Sequence, residues 1–290
     1  MQIVINTIVL ASLYALIGCG FVLIYRTSHV VNLAQGELMA LGGYFLFTVA
    51  MGLFKDPIPS FITACIFSVG LGFLVYFFLM RFMAGESIFA AILSTIALGI
   101  LLRGLITLIW TSQLLHPLET MGLKNASHGI TKDAVISTFG IVTVASAFLL
   151  YLALFLCLKF TRLGLRMRAV GENPLLASRR GIRLHNYYAL SWGIAAFTGG
   201  FAGMIQSCDA ILEPGMVAIG LKCFPVVLVG GLDSLVGVIP GAFIVAMAEV
   251  IAINYISPQA SEAAPFIVLL IMLLLRPWGL FGTKEELERV

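Results

Sequence analysis

KFTRLGLRMRAVGENPLLASRRGIRLHNYY, residues 159–188, is the longest polar stretch of a chain that is otherwise apolar. It carries seven of the seventeen basic residues and a single acid, Glu172. Apolar runs long enough to span a membrane lie on both sides of it. Over the whole 290 residues, 60% are hydrophobic and 11% charged, with mean hydropathy +1.06. Soluble domains carry about 25% charged residues, so a water-soluble fold of this length has no polar surface to cover such a content. The solvent for most of the chain is lipid. The expectation is an all-α polytopic integral membrane protein, one transmembrane domain over residues 1–290.

About 20 residues of helix cross roughly 30 Å of hydrocarbon. By that measure the apolar runs are 3–24, 30–54, 59–80, 88–110, 134–158, 189–212, 236–256 and a short last one at 265–275. A further segment, 218–232, is short and interrupted by Gly220, Lys222, Pro225, Gly230 and Gly231, which marks it as a candidate broken or re-entrant segment. About 8–9 transmembrane helices result. With 159–188 placed in the cytoplasm and sides alternated outward, the inner segments hold Arg26, Arg81, the seven loop bases, Arg276, Lys284 and Arg289, twelve in all; the outer ones hold Lys55, Lys124 and Lys132. Twelve against three is the positive-inside bias. The N-terminus then lies outside, and the tail, 276–290, in the cytoplasm. The first run lacks a basic n-region and reads as a span and not a secretory signal. The five cysteines are scattered in apolar segments without metal-ligand spacing.

The basic loop has its own internal order. Asn173 followed by Pro174 reads as an N-cap with proline at the first helical position. Arg179 and Arg180 suit the last turn of that helix and Gly181 its end. Two turns of helix are unstable alone, so 174–180 needs something packed on Leu175, Leu176 and Ala177. The plainer reading is a basic loop resting on anionic headgroups. Motifs for phosphate cradling, GxSxG nucleophiles and HExxH metal sites are absent from the sequence. The chain therefore reads as a non-enzyme with no metal site and no cofactor of its own, and any ATP it uses is hydrolysed by a partner. Charges inside apolar runs are functional candidates by default. Glu37, Arg103, Lys222 and Glu249 form that set, with Glu37 toward the inner side and the other three toward the outer half near Asp209 and Glu213. Both signs in one outer vestibule would suit a zwitterion. Alternatively Arg103 and Lys222 snorkel to the outer headgroups, and Glu249 is paired or protonated.

Three segments resemble branched-chain amino-acid ABC transporter permeases: VVNLAQGELMALGGY (Val30–Tyr44), LRMRAVGENPLLASRRGIRLHNYYALSWGIAAFTGGFAGMI (Leu165–Ile205) and GLKCFPVVLVGGLDSLVGVIPGAFIVAMAE (Gly220–Glu249). The chain is similar to the shorter of the two permease types in these systems. The resemblance implies a heteromeric importer in a bacterial or archaeal cytoplasmic membrane. Its parts would be this permease, a second permease, two ATP-binding cassette ATPases and a periplasmic or lipid-anchored binding protein; nucleic acid has no part in it. Glu172, Ala177 and Gly181 fall on the family's ATPase-coupling loop, with Asn173 and Pro174 where its alanines would stand. The implied cargo is leucine, isoleucine or valine, with urea and short amides as the alternative among close relatives. A different class, an ATP-independent channel or carrier for a small neutral solute, fits the composition equally.

Overall fold

The computed structural model describes residues 1–83, 85–131 and 134–283. Of the bases counted above, Lys132, Lys284 and Arg289 lie outside the described residues. In chain order the helices are α1 (Gln2–Ser28), α2 (Gln35–Gly52), α3 (Pro57–Phe78), α4 (Ile88–Trp110), α5 (Pro117–Thr120), α6 (Thr138–Phe160), α7 (Arg162–Glu172), α8 (Pro174–Arg179), α9 (Leu184–Asp209), α10 (Val217–Gly230), α11 (Leu235–Tyr255) and α12 (Ala260–Leu275). A small antiparallel hairpin, β1 (Ser127–Thr131) and β2 (Ala134–Ser137), precedes α6. It occupies the first residues of what reads in sequence as the fifth span. Ser137 ends it by capping α6, its hydroxyl accepting from the Gly140 amide at 2.9 Å.

Among the described residues, six helices are long and apolar enough to cross a membrane: α1, α3, α4, α6, α9 and α11. Their burial separates them into layers. The apolar windows of α1 and α9 are 78% and 72% buried, against 28%, 28% and 22% for α3, α4 and α6. So α1 and α9 form the centre, α11 packs on α1, and α3, α4 and α6 face outward. The central helices approach closely because small residues line the contact. A Cβ on Gly42 of α2 would fall on the backbone of Gly200 in α9, and one on Gly203 would fall on the carbonyl of Met39.

Two helices begin inside the bundle, and the sequence pattern conceals both. Residues 29–34 are not helical, so α2 starts at Gln35 and not at Val30. Gln35 donates to the carbonyl of Ala195, near the middle of α9, at 2.9 Å, and accepts from Asn32 at 3.0 Å. Asn32 also accepts from the Ala34 amide at 3.1 Å, which satisfies one backbone donor at the start of α2. Likewise α10 is an unbroken 14-residue helix that contains Pro225. At 1.5 Å per residue it spans about 21 Å, short of the roughly 30 Å core. The interruption expected within 218–232 instead lies ahead of it. Residues 210–213 are irregular, with Leu212 bridged to Leu115, and a 3₁₀ turn (Pro214–Met216) follows. Val217 and Gly220 then lie against Gly36. The N-termini of α2 and α10 thus meet at one depth.

The two ends of the bundle are distinct. Gln2 bonds Val135 of the hairpin, and Ser137 and Asn125 bond Asp209 at the end of α9, so these segments share one end. At the other end, α1 stops at His29, whose Nε2 is 3.0 Å from the Gly171 carbonyl, while Arg26 interacts with Glu172 and Asp233. The tail joins this second end, with Phe281 and Gly282 against Gly231.

Candidate functional site

The basic loop is more ordered than its composition suggests. It contains α7, an amphipathic helix that a polar-loop reading misses although Leu163, Met167 and Val170 recur at helical spacing. Thr161 caps it. Arg168 donates to the carbonyl of Leu158 at 2.9 Å, and Gly171 rests directly on the Arg26 carbonyl of α1. From this anchored helix the chain passes into α8. Asn173 caps α8 through its side-chain oxygen, which accepts from the Leu176 amide at 3.0 Å; Pro174 is its first residue, and Gly181 beyond its end has φ +79°. Ala177 is buried, whereas Leu175 and Leu176 are 65% and 55% exposed. Glu172 closes α7 just before the cap and is exposed. Of the seven expected coupling residues, Glu172 thus ends α7, Asn173 caps α8, Pro174, Leu175, Leu176 and Ala177 lie within it and Gly181 lies just beyond it, and only Leu175 and Leu176 present an open apolar face.

The four charges within the spans pair off two by two. The outer vestibule expected of Arg103, Lys222 and Glu249 is not what forms, whereas Glu249 is paired, as the alternative reading has it. Lys222 Nζ lies 2.5 Å from Glu249 Oε1, and Tyr14 donates to Glu249 Oε2 at 2.5 Å. Glu249, on α11, is buried, and its two partners come from α1 and α10. This pair ties the short α10 to its neighbours. Removing one member of a buried pair strands the other charge, at a cost of about 3–5 kcal/mol. Lys222→Met is therefore expected to lower thermal stability of the purified protein sharply, and Glu249→Leu added to it should recover most of the loss. Equal melting temperatures for the wild type and the single variant would contradict the assignment. Nothing in the sequence flags Tyr14, one aromatic residue in an apolar helix.

Glu37 and Arg103 make the second pair. Glu37 is not near the inner edge: it sits in the first turn of α2, which begins at mid-depth, and its carboxyl faces Gly99, the central residue of the 23 in α4. Arg103 Nη2 is 3.8 Å from Glu37 Oε1, and its side chain is half exposed. Glu37 Oε2 and the Tyr44 hydroxyl are the buried side-chain polar atoms left without a hydrogen-bond partner among the described residues. They are seven residues apart on α2, two turns on one face, a spacing readable from sequence. Tyr44 packs on Trp110 of α4 with ring centroids 5.0 Å apart, and Trp110 donates to Thr48 at 2.8 Å. The seam between α2 and α4 thus carries two orphaned polar groups. It opens into a cavity of about 550 Å³ lined by Leu33, Glu37, Ile96, Gly99, Arg103 and Leu221 among others. A guanidinium at such depth costs about 2.5–3.5 kcal/mol even on the lenient insertion scale if lipid surrounds it. Protein or water on the open side of the seam removes that cost. Asp209 and Glu213 take no part in either pair: Asp209 holds the hairpin, and Glu213 lies in the turn before α10.

A bundle of apolar helices, two of which begin inside it beside a charged and open seam, is the anatomy of a multi-pass membrane permease. Residues 3–275 match the family described as branched-chain amino acid transport system, permease component, and the chain belongs to that family. It is 28% identical to the high-affinity branched-chain amino acid transport system permease protein LivH of Escherichia coli (strain K12), over all of this chain and 97% of the relative. It is 26% identical to the corresponding permease protein BraD of Pseudomonas aeruginosa, over all of this chain and 98% of that one. Among solved structures, PsaBC from Streptococcus pneumoniae in complex with Fab aligns with a TM-score of 0.46 and 16% identity, over 94% of this chain and 90% of that one.

Proposed function

We propose that the chain is the permease subunit of an ATP-binding cassette importer for branched-chain or other small hydrophobic amino acids. In this reading a second permease closes the open seam between α2 and α4. Two ATPase subunits seat on α8, and a binding protein delivers substrate at the end that carries the hairpin. The membrane is the bacterial or archaeal cytoplasmic one, with the N-terminus outside and the basic loop and tail in the cytoplasm. The observation that carries the reading is α8 itself: two turns, capped at both ends, with Leu175 and Leu176 open to a partner. Its link to the transport path is mechanical. α8 follows α7 directly, and α7 is pinned to α1, the most buried helix, through Gly171 on Arg26. A push on α8 by a closing ATPase dimer tilts the centre of the bundle, on which α2 and α10 lean. Catalysis of ATP hydrolysis stays with the partners.

Reconstitution tests this. Liposomes holding this protein with its second permease, ATPases and binding protein should accumulate L-leucine against a gradient only when ATP is supplied. Liposomes holding this chain alone should conduct nothing. Solute conduction by the lone chain down a gradient would replace the importer with an ATP-independent channel or carrier.

A further inference from the structure

The Glu37 carboxylate is almost wholly buried yet half unsatisfied. Its Oε2 has no hydrogen-bond partner among the described residues. Its Oε1 is 3.8 Å from Arg103, beyond the range of an N–H···O bond. Two opposite charges therefore stand side by side without bonding each other, at the edge of a cavity of about 550 Å³. Small-ligand pockets fall in roughly the 300–1,000 Å³ range, so the space is adequate for a metabolite of amino-acid size. Gly99 keeps it open: a Cβ there would be 3.3 Å from the Glu37 carboxyl. Leu33 ahead of α2, Ile96 and Ile100 on α4, and Leu221 on α10 supply an aliphatic wall, with Gly104 and the polar Thr107 completing the lining on α4.

We propose that Glu37 and Arg103 form a clamp for the charged end of a free amino acid, with the Glu37 carboxylate holding its α-ammonium group and the Arg103 guanidinium its carboxylate, while Leu33, Ile96, Ile100 and Leu221 surround its aliphatic side chain. This rests on the importer reading and narrows it. A zwitterion satisfies both charges at once, each by a charge-assisted hydrogen bond. Urea or a neutral amide satisfies neither charge fully, so the clamp selects amino acids within the permease and not only at the binding protein. The site lies halfway along α4, where a substrate in transit has left water on both sides. It must hold weakly, because a site in a pathway that binds tightly does not release.

The test is equilibrium binding to the assembled transporter in nanodiscs, without the binding protein, followed by saturation-transfer NMR. Three ligands share the 3-methylbutyl unit: L-leucine with both charges, 4-methylpentanoate with the carboxylate alone, and isopentylamine with the ammonium alone. Wild type should prefer leucine. Glu37→Gln should weaken leucine by about tenfold or more and leave 4-methylpentanoate unchanged or tighter. Arg103→Gln should weaken leucine similarly and leave isopentylamine unchanged or tighter. A purely structural role would weaken all three ligands in parallel. That outcome, undetectable leucine binding by wild type, or equal leucine binding by wild type and Glu37→Gln would overturn the clamp. ATP-driven leucine uptake persisting beside any of these results would leave the importer standing and remove only the clamp.

Discussion

Leu176→Asp in α8 is expected to abolish ATP-driven uptake while leaving the protein in the membrane at normal abundance. Leu176 is 55% exposed and Leu175 65%, so neither side chain contributes much to the fold of this chain. Their exposure on a helix too short to persist by propensity alone fits the proposed docking of a partner on this face. Apolar anchors at the centre of a docking patch commonly carry 2 kcal/mol or more of its energy, and a carboxylate there adds the cost of desolvating a charge. Loss of coupling should therefore be near complete, and Leu175→Asp should behave alike. The measurement is initial uptake rate at matched membrane abundance. Normal uptake by either variant would remove α8 as the proposed coupling element.

Gly42→Val should prevent stable folding. Gly42 meets Gly200 backbone to backbone where α2 crosses α9, and a side chain at that point has no flexible neighbour to displace. Overpacking a tight core contact costs typically 1–3 kcal/mol, and separating two backbones lies at or beyond the upper end, roughly 3 kcal/mol. Gly70→Ala in α3 is the matched control, since a Cβ there meets nothing within 4 Å. Abundance after membrane extraction and the melting temperature in detergent should fall for the first and stay for the second. Comparable behaviour of the two would show that the α2–α9 crossing is looser than its geometry indicates.

What was legible in the sequence is what depends on neighbours in the chain. Asn173, Pro174 and Gly181 announce α8 because caps and helix ends are local events. The charge bias separates the two ends because it needs only the order of loops. The depth of Glu37 was not legible. Asn32, Gln35 and Glu37 interrupt the apolar run Val30–Phe54 without ending it, and only the contact of Gln35 with Ala195, far along the chain, shows that the helix starts halfway up. That late start is what brings Glu37 to Arg103 and takes it from the inner side where its sequence position suggests it lies. The Lys222–Glu249 pairing was hidden in the same way, since it joins α10 to α11 and recruits Tyr14 from the other end of the chain. The helix α7 was missed for a different reason: its period was present, but seven bases nearby made the stretch read as a loop.

The midway start of α2 bears on how the protein is made. This helix falls outside the group apolar enough to cross by composition, and it opens with Gln35 and Glu37. Its seat is built by Ala195, Gly200 and Gly203 of α9, which the ribosome delivers only after six intervening helices. Until then Gln35 lacks its acceptor and the Gly42 face lacks its wall. The first half of this chain therefore leaves the translocon unfinished, and its centre closes only when α9 slides in beside a segment synthesised long before.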